Sequence, residues 1–124
     1  MKYIDEIAKT RNLTESTLRY YEKEKIIPRA PRDKNGHRIY TDEIVEWVDF
    51  IISLKETGMP LKKIRSYAEL YNHGDETLKE RKEMMLQHKK SVKEHINKTV
   101  EHLEKINYKI ALYDVQLEEV KRMP

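Results

Sequence analysis

The sequence contains no cysteine, few glycines and prolines, and no long apolar run. The absence of cysteine excludes disulfides, thiolate metal sites and cysteine nucleophiles. No segment approaches the roughly 18 apolar residues of a membrane-spanning helix, and the first ten residues lack the apolar stretch of a secretory signal. We therefore expect a soluble protein of the cytoplasm, with no membrane partner.

Signatures of enzymes are missing as well. The sequence has no glycine-rich phosphate loop, no nucleophile elbow and no H-E-x-x-H metal motif. Its acids and histidines lie mainly at positions that a helix would expose to solvent. We therefore expect neither catalysis nor a bound cofactor or metal.

Charged residues are as frequent as apolar ones, at 38% each of 124 residues. This composition suits helices that each bury one stripe, partly against a second chain. The basic excess lies in the first half, with 14 Lys and Arg against 11 Asp and Glu in residues 1–66 and 11 of each in 67–124. Such a bias indicates nucleic-acid binding only if the basic residues share a face.

Residues 4–24 show the pattern of a helix-turn-helix. A short amphipathic helix over 4–10 precedes a tight turn in which Asn12 can adopt the left-handed conformation. Thr14 is a suitable N-cap for a second helix over about 15–24. In a DNA-binding helix-turn-helix, the first side chains of the second helix approach base edges.

The side chains at the start of this second helix are Thr14, Glu15, Ser16 and Thr17. They permit close approach to bases, although ordinary helix capping explains them equally well. The adjacent Arg19 and Tyr20 suit phosphate binding.

Residues 26–40 predict a small β-hairpin, or wing. Two prolines within it exclude a continuous helix, and Asn35-Gly36 favours a two-residue type I′ turn with positive φ at both positions. Lys34, His37 and Arg38 then either contact a phosphate backbone or minor groove, or belong to a purely structural hairpin.

Two further helices complete a mainly α-helical head over residues 1–72. Thr41 is the expected N-cap of the first, which ends near Gly58. Pro60 opens the second, which stops around residues 72–74.

Between residues 75 and 122 there is neither glycine nor proline. Apolar residues recur there at alternating spacings of four and three, interrupted once by Thr99: Val92, Ile96, Leu103, Ile106, Ile110, Tyr113, Leu117 and Val120. This heptad pattern is typical of a coiled coil. A helix over 76–120 would be roughly 65 Å long, and so long an exposed seam predicts a homodimer joined over residues 75–122.

His88, His95 and His102 recur at seven-residue spacing beside this seam. Histidines of two chains meeting there suggest the hypothesis of a metal site or a pH response. A solvated flank with incidental histidines is the simpler explanation.

Four segments of the chain resemble the MerR family of transcription regulators. They are residues 4–9 (IDEIAK), 17–22 (TLRYYE), 35–40 (NGHRIY) and 57–61 (TGMPL). Each motif alone is weak, but all four match the family in order and spacing over about residues 1–70.

The resemblance implies a winged helix-turn-helix head and an antiparallel coiled-coil dimer on a pseudopalindromic promoter site. It implies that the dimer bends and untwists double-stranded DNA and so acts on RNA polymerase indirectly, at the bacterial nucleoid. The base-facing residues would be Thr14, Ser16 and Thr17, and the phosphate-binding residues Arg19, Tyr20, Arg38, Tyr40 and Lys55. The alternative is a coiled-coil adaptor that binds protein instead of DNA.

The likeness is greatest to the aldehyde- or electrophile-responsive branch of that family, through residues 50–55 (FIISLK) and 57–59 (TGM). In that branch a cysteine typically occupies the position of Ser53. A serine hydroxyl is protonated at neutral pH and cannot replace a thiolate as an electrophile trap. The sequence therefore identifies no effector.

Overall fold

The chain is mainly helical in its computed structural model, which describes residues 2–123. Its elements are β1 (Lys2–Tyr3), α1 (Ile4–Thr10), α2 (Glu15–Lys23), β2 (Ile39–Tyr40), α3 (Asp42–Glu56), α4 (Leu61–Asn72), a 3-10 turn (Asp75–Thr77) and α5 (Leu78–Arg122). They form two compact units, the first ending at Leu86 and the second beginning at Gln87. The first turns of α5 therefore belong with the head unit, beyond its predicted limit at residue 72.

Three helices of the head, α1, α2 and α3, end in the same way. The second residue after each of them has a positive φ. These residues are Asn12, Lys25 and Gly58, with φ of 55°, 59° and 95°. The next residue donates its backbone N–H to the last helical turn and places an apolar side chain against the core: Leu13, Ile26 and Met59. This is the Schellman ending, and its apolar contact fixes the direction in which the chain leaves each helix.

The core of the head lies between α1 and α4. Each helix contributes one buried stripe, such as Ile44, Val48, Ile51 and Leu54 on α3. The indole N–H of Trp47 donates a 2.6 Å hydrogen bond to the Ile26 carbonyl, which ties α3 to the segment after α2. Each large apolar side chain that is fully buried in this core stabilises the fold by about 1.5 to 3 kcal/mol.

A two-stranded antiparallel sheet joins β1 to β2, with Lys2 opposite Tyr40 and Tyr3 opposite Ile39. Residues 39–40 are therefore extended, as predicted, but they pair with the beginning of the chain. The two arms of the predicted hairpin are joined by the Arg32–Arg38 bridge and by backbone hydrogen bonds from the Ile39 N–H to the Pro31 carbonyl at 2.7 Å and from the Asp33 N–H to the His37 carbonyl at 2.9 Å. A strand of two residues carries too little pattern to be found by periodicity.

The second unit is the remainder of α5. Seven predicted seam residues are 52% to 65% exposed in the single chain: Ile96, Leu103, Ile106, Ile110, Tyr113, Leu117 and Val120. The hydroxyl of Thr99 donates to the His95 carbonyl at 2.8 Å, so the one polar seam position satisfies itself locally. Within residues 2–123, no helix combines the length and apolar character needed to cross a membrane.

Candidate nucleic-acid interface

The turn between α1 and α2 sets the direction of α2, the predicted recognition helix. Thr14 caps α2 by accepting a 3.0 Å hydrogen bond from the backbone N–H of Thr17, as predicted. The side chain of Arg11 donates two hydrogen bonds to Asp49 of α3, at 2.8 and 3.1 Å. These hydrogen bonds hold the pKa of Asp49 below its usual value. The turn is therefore held at one end by the Arg11–Asp49 ion pair and at the other by the Thr14 cap.

The first side chains of α2, of which Thr14, Ser16 and Thr17 are predicted to face bases, differ in their availability. The hydroxyls of Thr14 and Thr17 lie 2.8 Å apart and bond to each other. Ser16 is exposed, whereas the Glu15 carboxylate lies 3.4 Å from the Arg19 guanidinium. A hydroxyl keeps acceptor capacity after donating one hydrogen bond, so the pair of threonines can still accept from a base.

Arg19 and Tyr20 are exposed neighbours one turn further along α2. The Arg19 side chain is 51% exposed, and its partner Glu15 is also exposed, so an anion can compete for it. Tyr21 is buried, and its hydroxyl accepts a hydrogen bond from the exposed Lys55 at 3.3 Å. α2 thus presents a cation and a phenol to solvent while Tyr21 holds it on the core.

The wing turn is not of the type that the sequence predicts. Gly36 has φ of 80°, but Asn35 has no positive φ, so a type I′ turn is wrong. Instead the Asp33 carboxylate accepts hydrogen bonds from the backbone N–H groups of Asn35 and His37, each at 2.9 Å. This local side-chain bonding favours a three-residue loop with glycine last. Lys34 is exposed at its tip.

Asp33 also connects the wing to the beginning of the chain. The hydroxyl of Tyr3 donates to it at 3.1 Å, and the imidazole of His37 lies 3.7 Å away. The N–H of His37 is the main cause that holds the pKa of Asp33 below its usual value. The same hydrogen bond from Tyr3 raises the pKa of that phenol. His37 itself stays 67% exposed and free to meet a phosphate.

Two predicted phosphate-binding residues are paired or buried within the head. The Arg38 guanidinium forms a 2.8 Å ion pair with Glu22 of α2, with side chains only 21% and 10% exposed. Tyr40 has no exposed surface, and burial raises the pKa of its phenol. In this structure the Tyr40 hydroxyl cannot reach a phosphate, and Arg38 is committed to joining the wing to α2.

Replacing Tyr40 by phenylalanine tests this placement. The Tyr40 hydroxyl is buried and has no hydrogen-bond partner within the described residues. Because an unsatisfied buried hydroxyl costs about 1 to 3 kcal/mol, we expect Tyr40→Phe to unfold at an equal or higher urea concentration. DNA affinity should not change. Tyr21→Phe is the matched control, since it removes a satisfied hydroxyl and should lower the midpoint slightly. A tenfold loss of DNA affinity in Tyr40→Phe would return this phenol to the interface.

Basic side chains gather where α2 meets the wing. A groove of about 580 Å³ is lined there by Arg19, Lys23, Lys25, Arg29 and Arg38, with Glu22, Ile27, Pro28 and Asn72. The one acid in that set is already paired with Arg38. The basic residues therefore do share a face, and clustered cations of this kind attract a phosphodiester backbone.

Sequence reasoning missed Lys23, Lys25 and Arg29 as members of this groove. The available signal was the charge of residues 11–40, which hold eight basic and four acidic residues. It also missed Arg65 of α4, whose guanidinium bonds to the Tyr20 hydroxyl and to Glu24. Arg65 and Tyr20 are 45 positions apart in the sequence, so no local sequence pattern predicts their contact.

The remaining candidate sites gain no support as chemical centres. The exposed Ser53 hydroxyl donates a 3.1 Å hydrogen bond to the Asp49 carbonyl, an ordinary contact within α3. Across residues 2–123, no three His, Cys, Asp or Glu side chains converge as a metal site. A metal site at His88, His95 and His102 stays a hypothesis about two chains.

Comparison with known proteins gives two family matches. Residues 3–70 match the model described as MerR HTH family regulatory protein. Residues 45–107 match a second model, described as MerR, DNA binding.

Curated relatives are transcription regulators. One is an uncharacterized HTH-type transcriptional regulator of Haemophilus influenzae, 39% identical over 97 residues, which are 78% of this chain and 72% of the relative. Another is the HTH-type transcriptional regulator AdhR of Bacillus subtilis, 35% identical over 82 residues. That match spans 66% of this chain but 59% of AdhR.

Solved structures of similar fold come from the same group of proteins. HiNmlR, a MerR family regulator lacking the sensor domain, was crystallised bound to promoter DNA. It is 35% identical with a TM-score of 0.81, over 90% of this chain and 89% of the other. A putative MerR family transcriptional regulator from Listeria monocytogenes is 26% identical with a TM-score of 0.84, over 98% and 92% of the two chains.

Proposed function

Because the chain belongs to the MerR family of helix-turn-helix transcription regulators, we propose that it binds promoter DNA as a homodimer and regulates transcription by deforming that DNA. The observation that carries the proposal is the exposed pair of Arg19 and Tyr20 on α2, beside a groove lined by basic side chains. This arrangement suits a helix in the major groove with the wing on the adjoining backbone.

The proposed DNA contacts are assigned to side chains of the head that solvent can reach. Ser16 and the Thr14–Thr17 hydroxyl pair face base edges, because they lie at the N-terminus of α2. Cations and hydrogen-bond donors hold the phosphates: Arg19, Tyr20, Lys34, His37 and Lys55. Arg38 and Tyr40 act from inside, by fixing the wing against α2 and by filling the core.

The homodimer is supported by the seam of α5. Seven large apolar side chains at heptad spacing stay more than half exposed in the single chain, and a partner copy would cover them. Two heads joined through α5 would meet a pseudopalindromic site, and bending that site costs on the order of 1 to 10 kcal/mol, depending on its sequence. RNA polymerase then responds to the shape of the promoter, without a required contact.

The first test recovers the DNA that the purified full chain selects from fragments of its own genome. We expect enrichment of a palindromic sequence within a promoter, and the neighbouring genes would identify the regulated process. An absence of enriched DNA at low salt, together with a stable dimer, would favour the protein-binding adaptor.

A second test uses Arg19→Ala on the selected site. Each phosphate contact contributes about 0.9 to the slope of log affinity against log salt, and a dimer loses two contacts. We therefore expect the slope to fall by about two while dimerisation persists. Lys98→Ala, which removes an exposed charge from α5, is the control and should leave the slope unchanged. Equal slopes in wild type and Arg19→Ala would contradict a phosphate contact at Arg19.

A further inference from the structure

Arg65 connects α4 to the recognition helix at two points. Its Nη2 donates to the hydroxyl oxygen of Tyr20 and, at 3.1 Å, to Oε1 of Glu24. The guanidinium carbon also lies 5.9 Å from the centre of the Tyr20 ring. α4 therefore holds a side chain that α2 presents to solvent.

The hydrogen bond from Arg65 determines what the Tyr20 hydroxyl can do next. Its oxygen already accepts a charge-assisted hydrogen bond, and within residues 2–123 the hydroxyl donates no hydrogen bond of its own. A hydroxyl that accepts from a cation is polarised and becomes a better donor. Tyr20 is 40% exposed, so this hydrogen is available to an anion from solvent.

Arg65 itself is poorly placed to take that anion. Its side chain is 38% exposed and already serves Tyr20 and Glu24, while its Nε is buried without a partner in the part of the chain described. The carboxylate of Glu24 offsets part of its charge. Arg65 is thus placed to act on the Tyr20 hydroxyl and not to bind the anion itself.

We propose that Arg65 is a positioning residue, which aims and polarises the Tyr20 hydroxyl so that it donates to a DNA phosphate. The inference rests on the proposed function, because it needs the phosphate contact at Tyr20. It adds that α4, outside the helix-turn-helix, sets the strength of that contact.

A double-mutant cycle on the selected DNA site tests the proposal with Tyr20→Phe and Arg65→Met in the full chain. Phenylalanine keeps the ring under Arg65 and removes only the hydroxyl. We expect each single variant to weaken binding by roughly a hundredfold, because the dimer loses one charge-assisted hydrogen bond of about tenfold from each head. The double variant should be no weaker than Tyr20→Phe. The salt slope should stay at the wild-type value throughout, because Tyr20 carries no charge.

Arg65→Lys is the rescue variant, since lysine retains one cationic donor for the Tyr20 oxygen. We expect it to regain most of the affinity that Arg65→Met loses. Circular dichroism melts establish folding, and if Arg65→Met is unfolded, Arg65→Gln enters the same cycle with the same expectation.

Several results would overturn this role. A slope lowered by about two in Arg65→Met would mean that Arg65 binds phosphate directly, and losses that multiply in the double variant would mean that the two residues act independently. Wild-type affinity in Tyr20→Phe, with weakened binding in Arg19→Ala, would reject the inference and keep the proposed function. A wild-type chain that binds no DNA would reject the proposed function.

Discussion

Replacing Leu103 and Ile110 by aspartate is expected to turn the dimer into a monomer at micromolar concentration and to abolish specific promoter binding at physiological salt. Both residues are seam positions, 53% and 52% exposed in the single chain. In a paired coiled coil the two copies would bury four carboxylates. At about 1 to 3 kcal/mol for each buried polar group, the dimer dissociation constant should rise by more than a thousandfold.

The loss of DNA binding follows from the loss of pairing. When one head of a dimer is bound, the other meets its half-site at a high effective concentration, and this raises affinity by about 10²- to 10⁴-fold over one head. A monomer lacks this gain in affinity, although its head is unchanged. Sedimentation velocity measures the mass of the species, and a gel shift on the selected site measures the affinity.

The chain offers a matched control for this experiment. Tyr108 and Val115 are also seven residues apart on α5 and are 67% and 57% exposed, but they lie off the heptad seam. Tyr108→Asp with Val115→Asp adds the same charge to the same helix and should leave a dimer that binds DNA. Monomers of this control beside dimers of the seam variant would place the interface on the opposite side of α5.

The helices of this protein could be predicted because their signals are local. Thr14 and Thr41 cap the helices that they were expected to cap, and Asn12 has the left-handed conformation that ends α1. Heptad spacing likewise predicted one uninterrupted helix over most of residues 76–120. Each of these features depends on residues within one or two turns of one another.

The parts that escaped prediction depend on residues far apart in the sequence. The first strand pairs with residues 39–40, Arg38 reaches Glu22 across 16 positions and Arg65 reaches Tyr20 across 45. The wing turn was predicted wrongly for a different, local reason. Asp33 accepts hydrogen bonds from two backbone N–H groups, and these stabilise a different turn from the type I′ turn that Asn35-Gly36 favours. Motif matching therefore selected the candidate residues, while burial decides which of their side chains face outward.

The second large effect is expected at Arg38, where Arg38→Ala should lower the free energy of unfolding by about 2 to 3 kcal/mol. The change leaves the Glu22 carboxylate, 10% exposed, without the partner that lies 2.8 Å away. Removing one member of a fully buried pair costs about 3 to 5 kcal/mol, and the 21% exposure of Arg38 reduces that value. Urea denaturation measures the difference, at one fixed protein concentration because dimer stability depends on it.

Adding Glu22→Gln to Arg38→Ala separates a structural role of Arg38 from a contact with DNA. The neutral amide no longer leaves a charge unpaired, so the double variant should regain part of the lost stability, although the buried amide still lacks a partner. If Arg38 serves mainly to hold the wing on α2, DNA affinity should recover together with stability, and the salt slope should stay near the wild-type value. A double variant that is stable yet binds DNA with a slope lower by about two would instead make Arg38 a direct phosphate ligand in each head. The structure favours the first result, because the guanidinium of Arg38 already has its anion within the protein.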